Sequence, residues 1–244
     1  MNKVLLFDVD GTIAESGNII NSEIVIMLKQ LSICWDIGIV GGGTFTKILT
    51  QINNQIVFNH IFSECGSVYH KYDYVKNEYI LVYKNDIKKH KHFNKMNILC
   101  KSSLKYISNC DYDIAGHIID RRNGLFYISM IGMQGTENER KKFLELDKIG
   151  HYRNDLLKLL NEELLLLDID KDIDIKEGGT IGIAIYPKEW NKTQILHHIS
   201  YDKIYYFGDK YQKDGNDYEL LNHKGVLGIP VKNISDTINK LNSF

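Results

Sequence analysis

Two carboxylates stand two residues apart near the start of the chain, in Phe7-Asp8-Val9-Asp10-Gly11-Thr12. Residues i and i+2 on extended backbone face the same way, so Asp8 and Asp10 are expected to converge on one point. Two convergent carboxylates repel unless a cation or a proton lies between them. Mg²⁺ suits oxygen ligands and phosphate substrates. A carboxylate held this way can attack phosphorus while its neighbour moves the proton. The competing reading of an isolated Asp-x-Asp-Gly is a solvated turn. Position favours chemistry, because an apolar run at 4–7 precedes the pair and open α/β sheets collect ligands at strand C-termini. Two later segments supply further groups. Gly208-Asp209 follows an apolar run at 203–207, and Gly215-Asn216-Asp217 forms an acidic loop beyond it. One of these carboxylates is expected to complete a metal shell. Lys192, in Trp190-Asn191-Lys192, offers a cation to screen a phosphoaspartate.

The elements that must position these groups read as strand, turn, helix. After the strand at 4–7 come a helix at 21–31, with Asn21 or Ser22 as N-cap, and a strand at 37–40 ended by Gly41-Gly42-Gly43. A helix at 44–52 follows. Near the other end, strands at 203–207 and 225–231 precede a helix at 235–241. This is the grammar of a parallel α/β sheet. The middle differs. Segments 79–83, 124–131, 168–175 and 181–186 alternate like antiparallel strands, and helical stretches at 91–107 and 137–163 lie among them. The expected organisation is a core of 1–84 with 188–244 and an inserted α+β cap at 85–187.

Composition narrows the classes. The net charge of -1 gives no basic field for nucleic acid. No apolar run approaches a membrane span, and the N-terminal segment is too short for a signal peptide, so no membrane partner and a cytoplasmic location are expected. The four cysteines form no Cys-x-x-Cys pair and read as reduced thiols. Only four of the basic residues are arginine: Arg121, Arg122, Arg140 and Arg153. A guanidinium grips phosphate at two points and an ammonium does not, so these few attract notice. Asp168-Ile169-Asp170-Lys171-Asp172 starts like a calcium loop, but Ile173 and Gly179 stand where Gly and Glu are needed, leaving an alternating strand. His90 with His92, and His197 with His198, read as solvated or helix-surface residues.

Asp8, Asp10, Lys192 and Asp209 with Asn216-Asp217, in that order, resemble the haloacid dehalogenase superfamily. Further anchors are Val40-Gly41-Gly42, Arg122-Asn123-Gly124, Ile131-Gly132, Glu139-Arg140, Glu145-Leu146-Asp147-Lys148, Gly178-Gly179, Pro187, Trp190, Lys192 and Phe207-Gly208-Asp209-Lys210. These make the chain similar to the eukaryotic phosphomannomutase family. The resemblance implies a Rossmann-like core with a mobile cap and a homodimer through the caps. It implies interconversion of mannose 6-phosphate and mannose 1-phosphate for GDP-mannose synthesis, with Mg²⁺ and a hexose 1,6-bisphosphate activator. Asp8 would be the phosphorylated nucleophile and Asp10 the general acid/base. Asp8, the Asp10 carbonyl and Asp209 would hold the metal, and Arg122 and Arg140 the non-transferring phosphate. A sugar phosphatase on the same scaffold, or a non-catalytic phosphosugar-binding relative, is the alternative. The departures fall in the pocket. Gly43 replaces a Ser, with Thr44 next in line, and Gly17 and Met133 replace arginines. Gly182 and Ala184 replace a Ser and an Asp that face the sugar. At an auxiliary ion site after the last acidic motif, His223 and Val226 stand at two ligand positions.

Overall fold

The computed structural model describes residues 2–213 and 215–244. The first stretch holds β1 (Lys3–Phe7), α1 (Ser22–Leu31), β2 (Asp36–Val40), α2 (Phe45–Ile52), β3 (His60–Ser63), β4 (Val68–Asp73) and β5 (Glu78–Lys84). The next holds α3 (Phe93–Ile107), β6 (Ile119–Arg121), β7 (Phe126–Ser129), α4 (Glu137–Gly150), α5 (Tyr152–Leu166), β8 (Ile173–Gly178) and β9 (Gly182–Pro187). The last adds β10 (Lys203–Gly208), α6 (Tyr218–Leu221), β11 (Leu227–Pro230) and α7 (Ile234–Leu241). The chain divides into two compact units: the residues up to Asn85 together with Trp190–Phe244, and Asp86–Glu189.

The first unit is built on a seven-stranded sheet of order β11-β10-β1-β2-β3-β4-β5. β1 pairs in parallel with β10 on one side and β2 on the other. A central parallel strand is buried on both faces and so reads as a continuous apolar run. Leu5 and Phe7 enter the cluster formed with α1 and α2, while Val4 and Leu6 enter a second cluster on the opposite face. α1 starts where it does because the Asn21 side chain accepts from the amides of Glu23 and Ile24, at 2.9 and 3.3 Å. The chain leaves β1 toward β2 and β3 but returns on the other flank as β10 and β11. The order therefore switches at β1, and the residues just after β1 and β10 border the crevice this creates.

β3 and β4 are not legible in the sequence. β3 has four residues, and the outer half of β4 is polar, so neither shows a usable period. β3 carries a buried polar chain. The His60 ring has Nδ1 2.8 Å from the Tyr69 hydroxyl and Nε2 2.6 Å from that of Tyr201. Tyr201 gives its one proton to Asp36 Oδ2 at 2.5 Å, so His60 Nε2 must donate to Tyr201 and Nδ1 must accept from Tyr69. The neutral ring thus satisfies every partner, and burial lowers its pKa from 6.5 to about 4. The unfolded chain takes up this proton near pH 6.5 while the folded chain resists until about pH 4. Stability is therefore expected to fall as pH drops through that window, by up to about 3 kcal/mol. Thermal unfolding of the protein and of His60→Gln across pH 4–7 checks this; parallel curves would refute it.

The second unit has a four-stranded antiparallel sheet, β6-β7-β9-β8. α3 and α5 contact it. Three expectations fail here. Segment 137–163 is two helices, because His151 adopts a left-handed φ of 51°. The break is held by Arg153, whose backbone N–H and Nε reach Asp147 at 2.9 and 2.6 Å. Segment 168–175 is a strand only from Ile173. Asp168 is left-handed (φ 51°), and the Ile173 amide turns back to the Ile169 carbonyl. His90 and His92 are not solvated either: their side chains are 5% and 16% exposed, and His92 Nε2 lies 2.7 Å from Asp172.

Candidate active site

Asp8 follows β1 directly and is buried. Its Oδ1 accepts from Lys192 Nζ at 2.5 Å. Lys192 itself is buried in a short 3₁₀ helix, Lys192–His197, 184 positions further along the chain. The same ammonium donates to Asp217 Oδ1 at 2.6 Å and to the Tyr206 hydroxyl at 3.0 Å. Tyr206 in turn donates to Asp217 Oδ1, and the Lys210 amide donates to Asp217 Oδ2 at 2.9 Å. Asp217 therefore receives three protein donors, two on Oδ1 and one on Oδ2.

Burial pushes the Asp8 pKa up to about 7, against the pull of Lys192. Burial works to lower the Lys192 pKa, but Asp217 and Asp8 outweigh it and hold it well above the ordinary value. The lysine is thus a fixed cation clamped between two carboxylates.

Asp209 follows β10 and adds a third carboxylate. One oxygen each from Asp8, Asp209 and Asp217 lie within 4.8 Å of one another. Gly11 makes this approach possible: its φ is +86°, and a Cβ there would lie 2.5 Å from Asp209 Oδ2. Asp209 Oδ1 is buried with no hydrogen-bond partner, and its pKa is raised, chiefly by burial. Lys192 balances one of the two carboxylates it touches. Among the ion pairs of the described residues, Asp209 is met only by the largely exposed Lys210 ammonium, at 3.4 Å. A cluster with excess negative charge and a waiting oxygen fits a hard divalent cation.

Asp10 corrects the sequence reading. Its carboxylate is not in that cluster. Oδ2 accepts from Lys47 Nζ at 2.9 Å, and Oδ1 from Gln51 Nε2 at 2.8 Å and the Gly17 amide at 2.9 Å. The chain turns sharply after Val9, whose carbonyl accepts the amides of Thr12, Ile13 and Ala14, so the i, i+2 rule of extended backbone does not apply. Burial raises the Asp10 pKa, but Lys47, Gly17 and Gln51 together hold it below the ordinary value. Lys47 and Gln51 lie one turn apart on α2 and were not singled out by sequence. Their i, i+4 spacing after the glycine turn is the signal that could have found them. Replacing the buried Gln51 by Leu is expected to lower kcat by about 10- to 100-fold, part of the roughly 10²–10⁴ a placed acid–base supplies. Steady-state rates check this, and an unchanged kcat would leave Gln51 with no positioning role.

Thr44 is the N-cap of α2, its hydroxyl accepting from the Lys47 amide at 3.3 Å. Asn216 sits beside Gly42, and its Oδ1 is buried with no partner. In the second unit, Arg122 Nε donates to Asp120 at 2.7 Å, and its guanidinium carbon lies 4.8 Å from the Tyr127 ring centre. Arg140 is pinned by backbone: Nε donates to the Gly135 carbonyl at 2.8 Å and a terminal nitrogen to that of Met133 at 3.1 Å. Both guanidiniums are aimed by partners and not left to swing.

A family model described as eukaryotic phosphomannomutase matches residues 24–244. A phosphomannomutase of Babesia bovis is 32% identical over 249 aligned positions, covering 99% of this chain and 97% of that protein. A phosphomannomutase of Encephalitozoon cuniculi (strain GB-M1) is 34% identical over 244 positions, covering 98% and 91%. Phosphomannomutase 2 of Dictyostelium discoideum is 32% identical, covering 100% and 96%. Solved structures similar in fold include an IMP-nucleotidase of Plasmodium falciparum, with TM-score 0.63 and 16% identity, covering 99% of this chain and 68% of that one. The C-terminal domain of a C. albicans trehalose-6-phosphate phosphatase has TM-score 0.58 and 17% identity, covering 91% and 74%.

Proposed function

This chain belongs to the eukaryotic phosphomannomutase family, and from that premise we propose that it interconverts mannose 6-phosphate and mannose 1-phosphate through a phosphoaspartate at Asp8. The observation that carries the reading is the buried Asp8–Lys192–Asp217 clamp beside an unpartnered Asp209 oxygen. Such an arrangement suits phosphoryl transfer, where catalysis is mostly positioning and charge.

In the proposed reaction, a hexose 1,6-bisphosphate gives one phosphoryl group to Asp8 and departs as the monophosphate. Mannose 1-phosphate then takes that group on its 6-hydroxyl. The resulting bisphosphate turns end for end and returns its 1-phosphoryl group to Asp8, releasing mannose 6-phosphate. Lys192 holds the Asp8 carboxylate at the strand end and offsets charge on the acyl phosphate. Asp10, kept anionic by Lys47 and Gln51, takes the proton from the attacking sugar hydroxyl and returns it in the reverse step. Arg122 and Arg140 bind the phosphate that is not transferred. Asp8, Asp209 and the Asp10 carbonyl would hold Mg²⁺, and when bound it supplies Lewis-acid stabilisation of the phosphoryl oxygens. Asp217 and Asn216 support that loop.

No helix among the described residues is long and apolar enough to cross a membrane. We place the protein in the cytoplasm as a homodimer through its caps, supplying GDP-mannose synthesis. The deciding assay supplies mannose 1-phosphate, Mg²⁺ and a trace of hexose 1,6-bisphosphate, and follows mannose 6-phosphate and free phosphate. Isomer without phosphate is the expected result. Phosphate alone would replace the mutase by a phosphatase, a second reading that the phosphatase folds among the structural neighbours favour.

A further inference from the structure

The chain leaves the first unit after Asn85 and re-enters it at Trp190. Both points are held by one buried side chain, that of Gln194. Its Nε2 donates to the Trp190 carbonyl at 2.7 Å, and its Oε1 accepts from Asn85 Nδ2 at 2.9 Å. Nε2 also donates to the Cys65 carbonyl at 3.0 Å. Backbone carbonyls only accept, so these partners fix which end of the amide faces them.

The surroundings of the amide are fixed in turn. Asn85 and Ser67 are buried. Asn85 Nδ2 also donates to Ser67 Oγ at 3.2 Å, its Oδ1 accepts from the Tyr83 hydroxyl, and its backbone amide donates to the Ser67 carbonyl at 2.8 Å. The turn that carries Cys65 is tied to the glycine turn after β2: the amides of Glu64 and Cys65 donate to the carbonyls of Gly43 and Gly41 at 2.9 and 3.0 Å. Gly66 lets these pieces close up. Its φ is +95°, and a Cβ there would lie 2.7 Å from Ile195 Cγ2 and 3.0 Å from Gln194 Cγ.

Gln194 lies two residues after Lys192 on the same 3₁₀ helix. Asn191 caps that helix, its side chain accepting from the Thr193 amide at 2.8 Å. The second crossing, the ammonium on Asp8 and the amide that holds the first crossing therefore share one short segment. A buried amide with its partners in place resists displacement, because each group freed from it is left unpaired out of water.

A unit that moves on two strands returns to one place only if both strands leave from a fixed base. We propose that Gln194 is a positioning residue for phosphoryl transfer. It ties both crossings to the segment that bears Lys192, and so keeps the second unit's closure in step with the phosphoaspartate at Asp8. With the amide in place, the phosphoryl group passes to a sugar hydroxyl. Without it, water reaches the same group more often. Water then attacks phosphorus, the bond from phosphorus to the Asp8 oxygen breaks, inorganic phosphate leaves, and a water proton passes to Asp10. This rests on the phosphoaspartate reading above.

The test charges the protein with labelled hexose 1,6-bisphosphate and Mg²⁺, removes the excess and follows decay of the adduct. Gln194→Met keeps the length of the side chain and removes its hydrogen bonds. It is expected to shorten the adduct's lifetime by about tenfold and to raise the ratio of free phosphate to isomer by a similar factor. Backbone hydrogen exchange across 84–90 and 186–192 is expected to quicken in the same variant. Asn85→Ala frees the first crossing alone and should move each readout the same way by less; it decides if Gln194→Met does not fold. An unmoved lifetime or unmoved exchange overturns the proposal. So does a lower melting temperature with an unmoved phosphate-to-isomer ratio, which is what a merely structural amide would give. A shorter-lived adduct in the variant, with no isomer from the unaltered protein, would sink the mutase reading and leave this one standing. Isomer with an unmoved lifetime would do the reverse, and a protein that takes no label overturns both.

Discussion

Asp8→Asn is expected to abolish turnover, with kcat falling by about 10⁴ or more, because an amide cannot form the phosphoaspartate. The variant should also take no phosphate from a labelled hexose bisphosphate, whereas the unaltered protein should form an acid-stable, hydroxylamine-labile adduct. The fold should survive. Asp217 still receives Lys192, Tyr206 and the Lys210 amide, so the lysine keeps a buried counter-charge. A melting temperature within a few degrees of the parent, with no turnover, is the expected pair of results. Retained turnover would remove Asp8 as nucleophile. A collapsed melting temperature would make the loss structural.

Lys192→Met tests the opposite member of the clamp and should damage both properties. The ammonium is the only cation in contact with the buried Asp8 and Asp217 carboxylates among the ion pairs of the described residues. Removing it leaves both buried carboxyl groups without their cation, so that a charge is stranded or Asp8 must take up a proton. Breaking a buried pair from one side costs about 3–5 kcal/mol. For a chain of this length that corresponds to roughly 6–20 °C in melting temperature. The rate should fall by about 10³ as well, since charge on the transferring group loses a fixed partner. Added Mg²⁺ should recover part of the stability, because a divalent ion at Asp8 and Asp209 replaces part of the lost positive charge. A variant with parental melting temperature and rate would show that the clamp has neither role. Together the two substitutions separate chemistry from packing: one should cost activity alone, the other activity and stability.

The core was strongly legible in the sequence because its signals are local. β1 is a continuous apolar run ending in Asp8, and parallel central strands admit little else. Asn21 as a cap and Thr44 at the head of α2 follow from side chains that satisfy their own helix starts. Where a signal depends on a distant partner it was lost. The turn at His151 is held by Arg153 on Asp147, and nothing in the helical period between Glu137 and Glu163 reveals it. His90 and His92 look like surface residues until Glu189 and Asp172 arrive from the far end of the same unit.

The chemistry divides in the same way. Residue type and order were enough to single out the candidate groups Asp8, Asp10, Lys192 and Asp209, and the scarce arginines Arg122 and Arg140. What each of them touches came from the fold. It brought Lys192 across 184 positions to Asp8 and made Asp217 the second jaw of the clamp. It turned Asp10 away toward Lys47 and Gln51. The reason is physical. A backbone period or a cap is set by neighbours in sequence, but a buried charge is placed by whichever opposite charge the fold delivers, and that contact leaves no trace in local spacing.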